Sequence, residues 1–114
     1  MVPGSAVKEA TLQSAVAVTG NGGTLDVIDP SQGAFVIAIF QVTGTFVATV
    51  TLEGSVDGTN WFAILAENLT DGAEATTVTA AGVYRANVLG LAKVRGRVTW
   101  TSGTSVTVFA RLVA

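Results

Sequence analysis

Six basic and eight acidic side chains are all the charge that this chain of 114 residues has. Two carboxylate pairs stand close in sequence, Glu53 with Asp57 and Asp71 with Glu74, and a glycosidase needs two such acids. Glu53 falls on an expected strand and Asp57 in the turn after it, where solvated acids are the ordinary occupants. Asp26, Asp29 and the turn at 57–60 offer oxygen ligands for calcium but not the spacing of a calcium loop. Histidine and cysteine are absent. That removes the usual general base near neutral pH, the commonest metal ligand and the thiolate nucleophile. Serine and threonine are plentiful, yet no base is placed to activate one. The sequence nominates no catalytic residue, cofactor or metal ligand, and the expectation is that the chain is not an enzyme.

Lys93, Arg95, Arg97 and Arg111 suggest contact chemistry instead. They are four of the six basic residues, whereas every acidic residue lies at or before Glu74. Their clustering makes them the candidate protein interface, pairing with carboxylates of a neighbouring subunit. Ion pairs within the chain, or a solvated face, are the plainer reading. The formal net charge of −2 argues against nucleic acid, because neutralising phosphates takes a basic excess.

The elements that must position these residues are strands. Ala48, Val50, Leu52 and Val56 alternate with Thr49, Thr51, Glu53 and Ser55, the period of two that marks a half-buried strand. Asp57, Gly58 and Asn60 supply turn chemistry before Trp61 and Phe62 resume the apolar run. Residues 34–43 are almost continuously apolar and β-branched, which places them mid-sheet between the flanking Gly33 and Gly44. Shorter strands are expected at 14–19, 24–28, 75–79 and 83–89, and two more at 93–101 and 105–113. A hairpin joins that last pair. A three-residue loop over 102–104, with Gly103 left-handed, pairs Trp100 with Val106 and places Val94, Gly96 and Val98 on the side of Val108, Ala110 and Leu112. In that register Arg95 faces Arg111, a like-charge contact that invites an acidic partner. Val50, Leu52, Val98, Trp100, Val106 and Val108 are the expected core. Eight or nine short strands with no helix specify an all-β antiparallel sandwich or jelly roll. Residues 1–12 have no usable period, and with Pro3 and Gly4 they read as an extended arm ahead of one domain over 13–114.

Charged residues make up 12% of the chain, about half the usual share of roughly 25%. The mean hydropathy of +0.57 is correspondingly high. So little charge implies that part of the surface is covered by other subunits, hence a homo-oligomer. No continuous apolar run approaches the 18 residues of a membrane-spanning helix. Lys8 and Glu9 stand where a secretory signal would have its apolar centre.

The run GTFVATVTLEGSVDGTNWFAI, followed by GVYRANVLGLAKVRGRVTWTSGTSVTVFARL, resembles a β-sandwich domain of tailed-phage virion proteins. The resemblance covers residues 44–112 and rests on the order of four features: the TVTLEGSVDGTNW hairpin, the Gly-x-Tyr-Arg strand start, Gly-Leu-x-Lys-Val-Arg, and Thr-Ser-Gly-Thr. It implies a structural role on a virus particle, made in the host cytoplasm and bound to other virion subunits, the major capsid protein or tail proteins. Capsid decoration leads, and a trimer is the family expectation. The Ser-x-Asp-Gly-x-x-Trp run at 55–61 is also similar to a hairpin of discoidin-like and other sugar-binding jelly rolls. That implies the alternative, a carbohydrate-binding module in host attachment. There the hairpin is mainly a turn, so Asp57 and Trp61 are read as turn and core residues.

Overall fold

The computed structural model describes residues 7–29 and 31–114, and every regular element in it is a strand. In chain order these are β1 (Val7–Val16), β2 (Thr24–Asp26), β3 (Ile28–Asp29), β4 (Gly33–Ala34), β5 (Ile37–Ser55), β6 (Trp61–Ala63), β7 (Ala66–Asn68), β8 (Glu74–Ala75), β9 (Thr77–Val78), β10 (Gly82–Asn87) and β11 (Lys93–Val113). The main antiparallel sheet runs β1-β11-β5-β10-β7-β8, with β2 added to β11, and β6 and β9 added to β5. A separate ribbon joins β3 to β4. Among the described residues no helix is long and apolar enough to cross a membrane.

The backbone of the architecture is one long ribbon. β5 and β11 pair from Ile37↔Val113 to Ser55↔Lys93, with register shifts between Trp100 and Ser102 and between Gly103 and Ser105. At the shifts Gly44 and Gly103 have φ of 120° and 112°, a backbone that side chains rarely adopt. A Cβ on Gly44 would run into the Ser105 carbonyl oxygen, and one on Gly103 would sit 2.7 Å from Phe46 Cα. Extra residues and facing glycines let two strands bend together without parting.

The bend folds the ribbon onto itself. Gly96, in the first half of β11, has Val108 Cγ1 of the second half only 2.9 Å from where its Cβ would be. The first layer comprises β1, the C-terminal half of β11, the N-terminal half of β5, β10, β7 and β8. The second comprises β2, the other halves of β11 and β5, β6 and β9. Phe40, Val42, Val106, Val108 and Leu112 from one layer meet Val50, Leu52, Val94 and Val98 from the other in a single buried core. Each such side chain stabilises the fold by about 1.5–3 kcal/mol on burial. Gln13, buried among them, donates from Nε2 to the carbonyls of Gly20 at 3.0 Å and Gly96 at 2.9 Å, so its amide is not left unpaired.

The all-β sandwich is as expected, but several details differ. The segment at 102–104 is no hairpin turn: it lies inside β11, and Trp100 is in register with Ala48 instead of Val106. The two halves of β11 do not pair with each other because β5 takes one edge of both, and β2 and β1 take the other edge of the first and second half. Gly44 likewise bends a strand instead of ending it. The expected short strands are thus joined into one of 19 and one of 21 residues. Residues 7–12, read as part of an arm, belong to β1 and pair with Phe109–Val113; residues 1–6 of that arm lie outside the described residues. Val56, expected on the apolar side, is exposed because β5 stops at Ser55 and the chain turns. Trp100 is half-buried against the core, whereas the other five expected core residues are fully buried.

Candidate functional site

The four candidate interface residues project from the outer surfaces of both layers. On β11, Val94, Gly96 and Val98 point inward, so Lys93, Arg95 and Arg97 point out of the second layer. Arg111 comes after the bend and points out of the first. The structure therefore separates Arg111 from the others. Arg95 is in register with Glu53 and Thr24, and Arg111 with Ile39 and Glu9, so the expected Arg95–Arg111 contact is replaced by pairing with carboxylates of the same chain.

Glu53 is the centre of the second-layer cluster. Its Oε1 accepts from Arg95 Nε at 2.9 Å, and its Oε2 holds Arg97 Nε at 3.3 Å. The Arg95 guanidinium also lies 4.1 Å from the centroid of Trp61, close enough for the ring face to attract it. Trp61 is brought there by the pairing of β6 with the end of β5. Lys93 Nζ hydrogen-bonds Asp26 Oδ1 beside the cluster. That bond is the main reason the Asp26 carboxyl is held below its ordinary value of 3.8. On the first layer Arg111 Nε donates to Glu9 at 2.8 Å and Arg85 Nη2 to Glu67 at 2.6 Å.

The acids considered for chemistry are not brought into a catalytic pair. Glu53, expected to be solvated, is buried beneath its two arginines. Asp57 closes its own turn: Oδ1 accepts from the amides of Thr59 and Asn60 at 2.8 Å and from the Ser55 hydroxyl at 3.1 Å. The Asn60 amide, then that of Thr59, holds its carboxyl well below the usual range. Asp29 is held low too, mainly by Lys8 and then by Ser31. Asp71 caps its turn at the Ala73 amide, 2.9 Å away. Glu74 lies in β8 directly across from Glu67.

Sequence reasoning missed a crevice of about 590 Å³ lined by residues of β6, β7, β8 and β10 and the segments after β6 and β10. Phe62, Leu65 and Leu89 stand exposed at its mouth, Ile64 and Leu91 lie deep, and Glu67, Glu74 and Arg85 form its rim. The signal available in the sequence was the apolar run Phe62–Leu65, which alternation alone assigns to a strand.

The chain is thus a two-layered all-β domain with an apolar crevice on its surface, and its fold is shared with solved structures. The SPBc2 prophage-derived protein YomS superposes with a TM-score of 0.84 at 20% identity, over 96% of this chain and 94% of that one. The PBSX exported protein XepA gives 0.86 at 14% identity over 96% of this chain. This chain spans 38% of the length of XepA, so it is similar to one part of that protein. No protein-family model matches the sequence, and no curated protein matches it.

Proposed function

We propose that the chain is a non-catalytic structural subunit of a phage particle, and in particular a capsid decoration protein that binds and stabilises the assembled shell. The observation that carries this reading is the fold shared over nearly the whole of both chains with a prophage-derived protein. It agrees with the virion resemblance of residues 44–112. The surface chemistry supports it, since the described carboxylates other than Glu74 serve ion pairs and turns instead of converging on a reactive centre. Partners are other virion subunits and further copies of the chain; the number three comes from the resemblance alone, and sedimentation equilibrium reads it.

Immunogold labelling of purified particles tests the reading. Label on heads is the expected result. Label on tails would retain the structural subunit and overturn decoration, and particles without label would overturn both. A carbohydrate-binding module ranks second, because its aromatic platform is lacking at Trp61, whose ring is stacked under Arg95.

A further inference from the structure

Apart from Asp57 and Asp71, whose carboxylates accept from the amides of their own turns, charge pairing over the described surface is nearly closed, and the two places where it is open on the sheet faces are complementary. Lys8–Asp29, Lys93–Asp26, Arg85–Glu67 and Arg111–Glu9 are one-to-one pairs. On the second layer Glu53 alone serves both Arg95 and Arg97, and Arg97 keeps 38% of its side chain exposed. That leaves a surplus of one guanidinium. On the first layer Glu67 and Glu74 stand directly opposite in register while Arg85 reaches only Glu67. Like charges in that position repel. Glu74 is exposed and makes no ion pair among the described residues, which leaves a surplus of one carboxylate.

These two groups cannot meet within a chain. Arg97 shares an outward row with Thr51 and Thr77 on the second layer, whereas Glu74 shares one with Glu67 and Arg85 on the outside of the first. The layers lie about 10 Å apart, and the side chains point in opposite directions. Glu74 moreover stands at the rim of the crevice, whose mouth exposes Phe62, Leu65 and Leu89. An anion beside unsatisfied apolar area fits a protein surface that brings a cation and apolar side chains of its own, and the outer face of the second layer carries Arg97 together with the part-exposed Trp61 and the exposed Ala63. Charge alone, in a solvated pair, would hold little.

We propose that a second copy of this chain docks on the crevice, its Arg97 face against the Glu74 rim. The two surfaces differ, so the contact is head to tail, and successive copies either close a ring or extend a filament. The proposal deepens the structural-subunit reading and rests on it only in supposing that copies assemble.

Sedimentation velocity of the full chain at micromolar concentration, with the thermal midpoint as a check on folding, tests it. The wild type is expected to sediment as an assembly. Glu74→Arg and Arg97→Glu are each expected to weaken assembly at least about tenfold, because each sets like charges face to face. Arg97→Gln, which adds no charge beside Glu53, covers the case in which the reversal disturbs the fold. An equal mixture of Glu74→Arg and Arg97→Glu is expected to regain assembly relative to either variant alone, since alternating copies restore every opposite-charge contact in a filament or an even-numbered ring, and two contacts of three in a ring of three. A monomeric wild type, an assembly indifferent to both substitutions, or a mixture that stays dissociated would overturn the proposal. A monomeric wild type that still labels particles would leave the subunit reading standing, so the two failures are distinct.

Discussion

On the second layer the Arg95–Glu53 pair leaves 15% and 9% of its side chains exposed; on the first, Arg111–Glu9 leaves 53% and 47%. The partners have the same chemistry and similar separations, 2.9 and 2.8 Å. What differs is position in the sheet. Glu53 is flanked on both sides, by β11 and by β6, and Arg95 stacks on the Trp61 ring. Glu9 sits on β1 at the edge of the sheet, with a neighbouring strand on one side only. An ion pair at the centre of a sheet loses its water and depends on its partner, whereas one at an edge keeps water as an alternative. Charge content therefore says little about which pairs matter until the strand order is known.

The most severe way to break the contrast is to remove the bend that makes two layers of one ribbon. Gly44→Ala should destabilise the fold by about 4 kcal/mol, combining backbone strain with overpacking against Ser105. Chemical denaturation measures this, and a midpoint like that of wild type would mean that the ribbon bends elsewhere. Glu53→Ala comes next at about 3 kcal/mol, because it strands Arg95 in a largely desolvated place. Glu9→Ala, removing the equivalent acid at the edge, should cost under about 1 kcal/mol. If denaturation midpoints of the two alanine variants coincide, the distinction between centre and edge fails.

The smallest effect is confined to one turn. The Asp57 carboxyl is held below its ordinary value of 3.8 by the Asn60 and Thr59 amides. A depressed folded-state value means that its stabilisation is complete above about pH 4 and is lost as pH falls through that lower value. The amide resonances of Thr59 and Asn60 should then shift together in acid. Asp57→Asn should flatten the titration.

The apolar alternation was enough to place Val50, Leu52, Val98, Val106 and Val108 in the core, because a period of two reports which face a residue takes whatever its strand pairs with. It could not say which strands are neighbours. Thr-Ser-Gly-Thr has the composition of a hairpin turn, and only the continuous β5 beside it, with Phe46 and Val47 in register with Gly103 and Ser102, makes it a bend instead. The acidic partners of the basic residues were illegible for the same reason: Glu53 is 42 residues from Arg95, and Glu9 is 102 from Arg111. β8 and β9, of two residues each, are too short to show a period, so the crevice rim that β8 supplies was hidden too.

The pairing of β1 with the last residues of β11 also sets an order in time. During synthesis Val7–Val16 leaves the ribosome about 100 residues before its partner Val106–Val113 is made. β5 waits in the same way, since its first residues pair with the final ones of the chain. Until then β1 has no mate and β5 lacks the neighbour on one of its two edges, and closing such long loops is slow. The domain therefore gains its shape in one late step, and a chain cut short before residue 105 would expose the open edges of β1 and β5 to any neighbouring strand it meets.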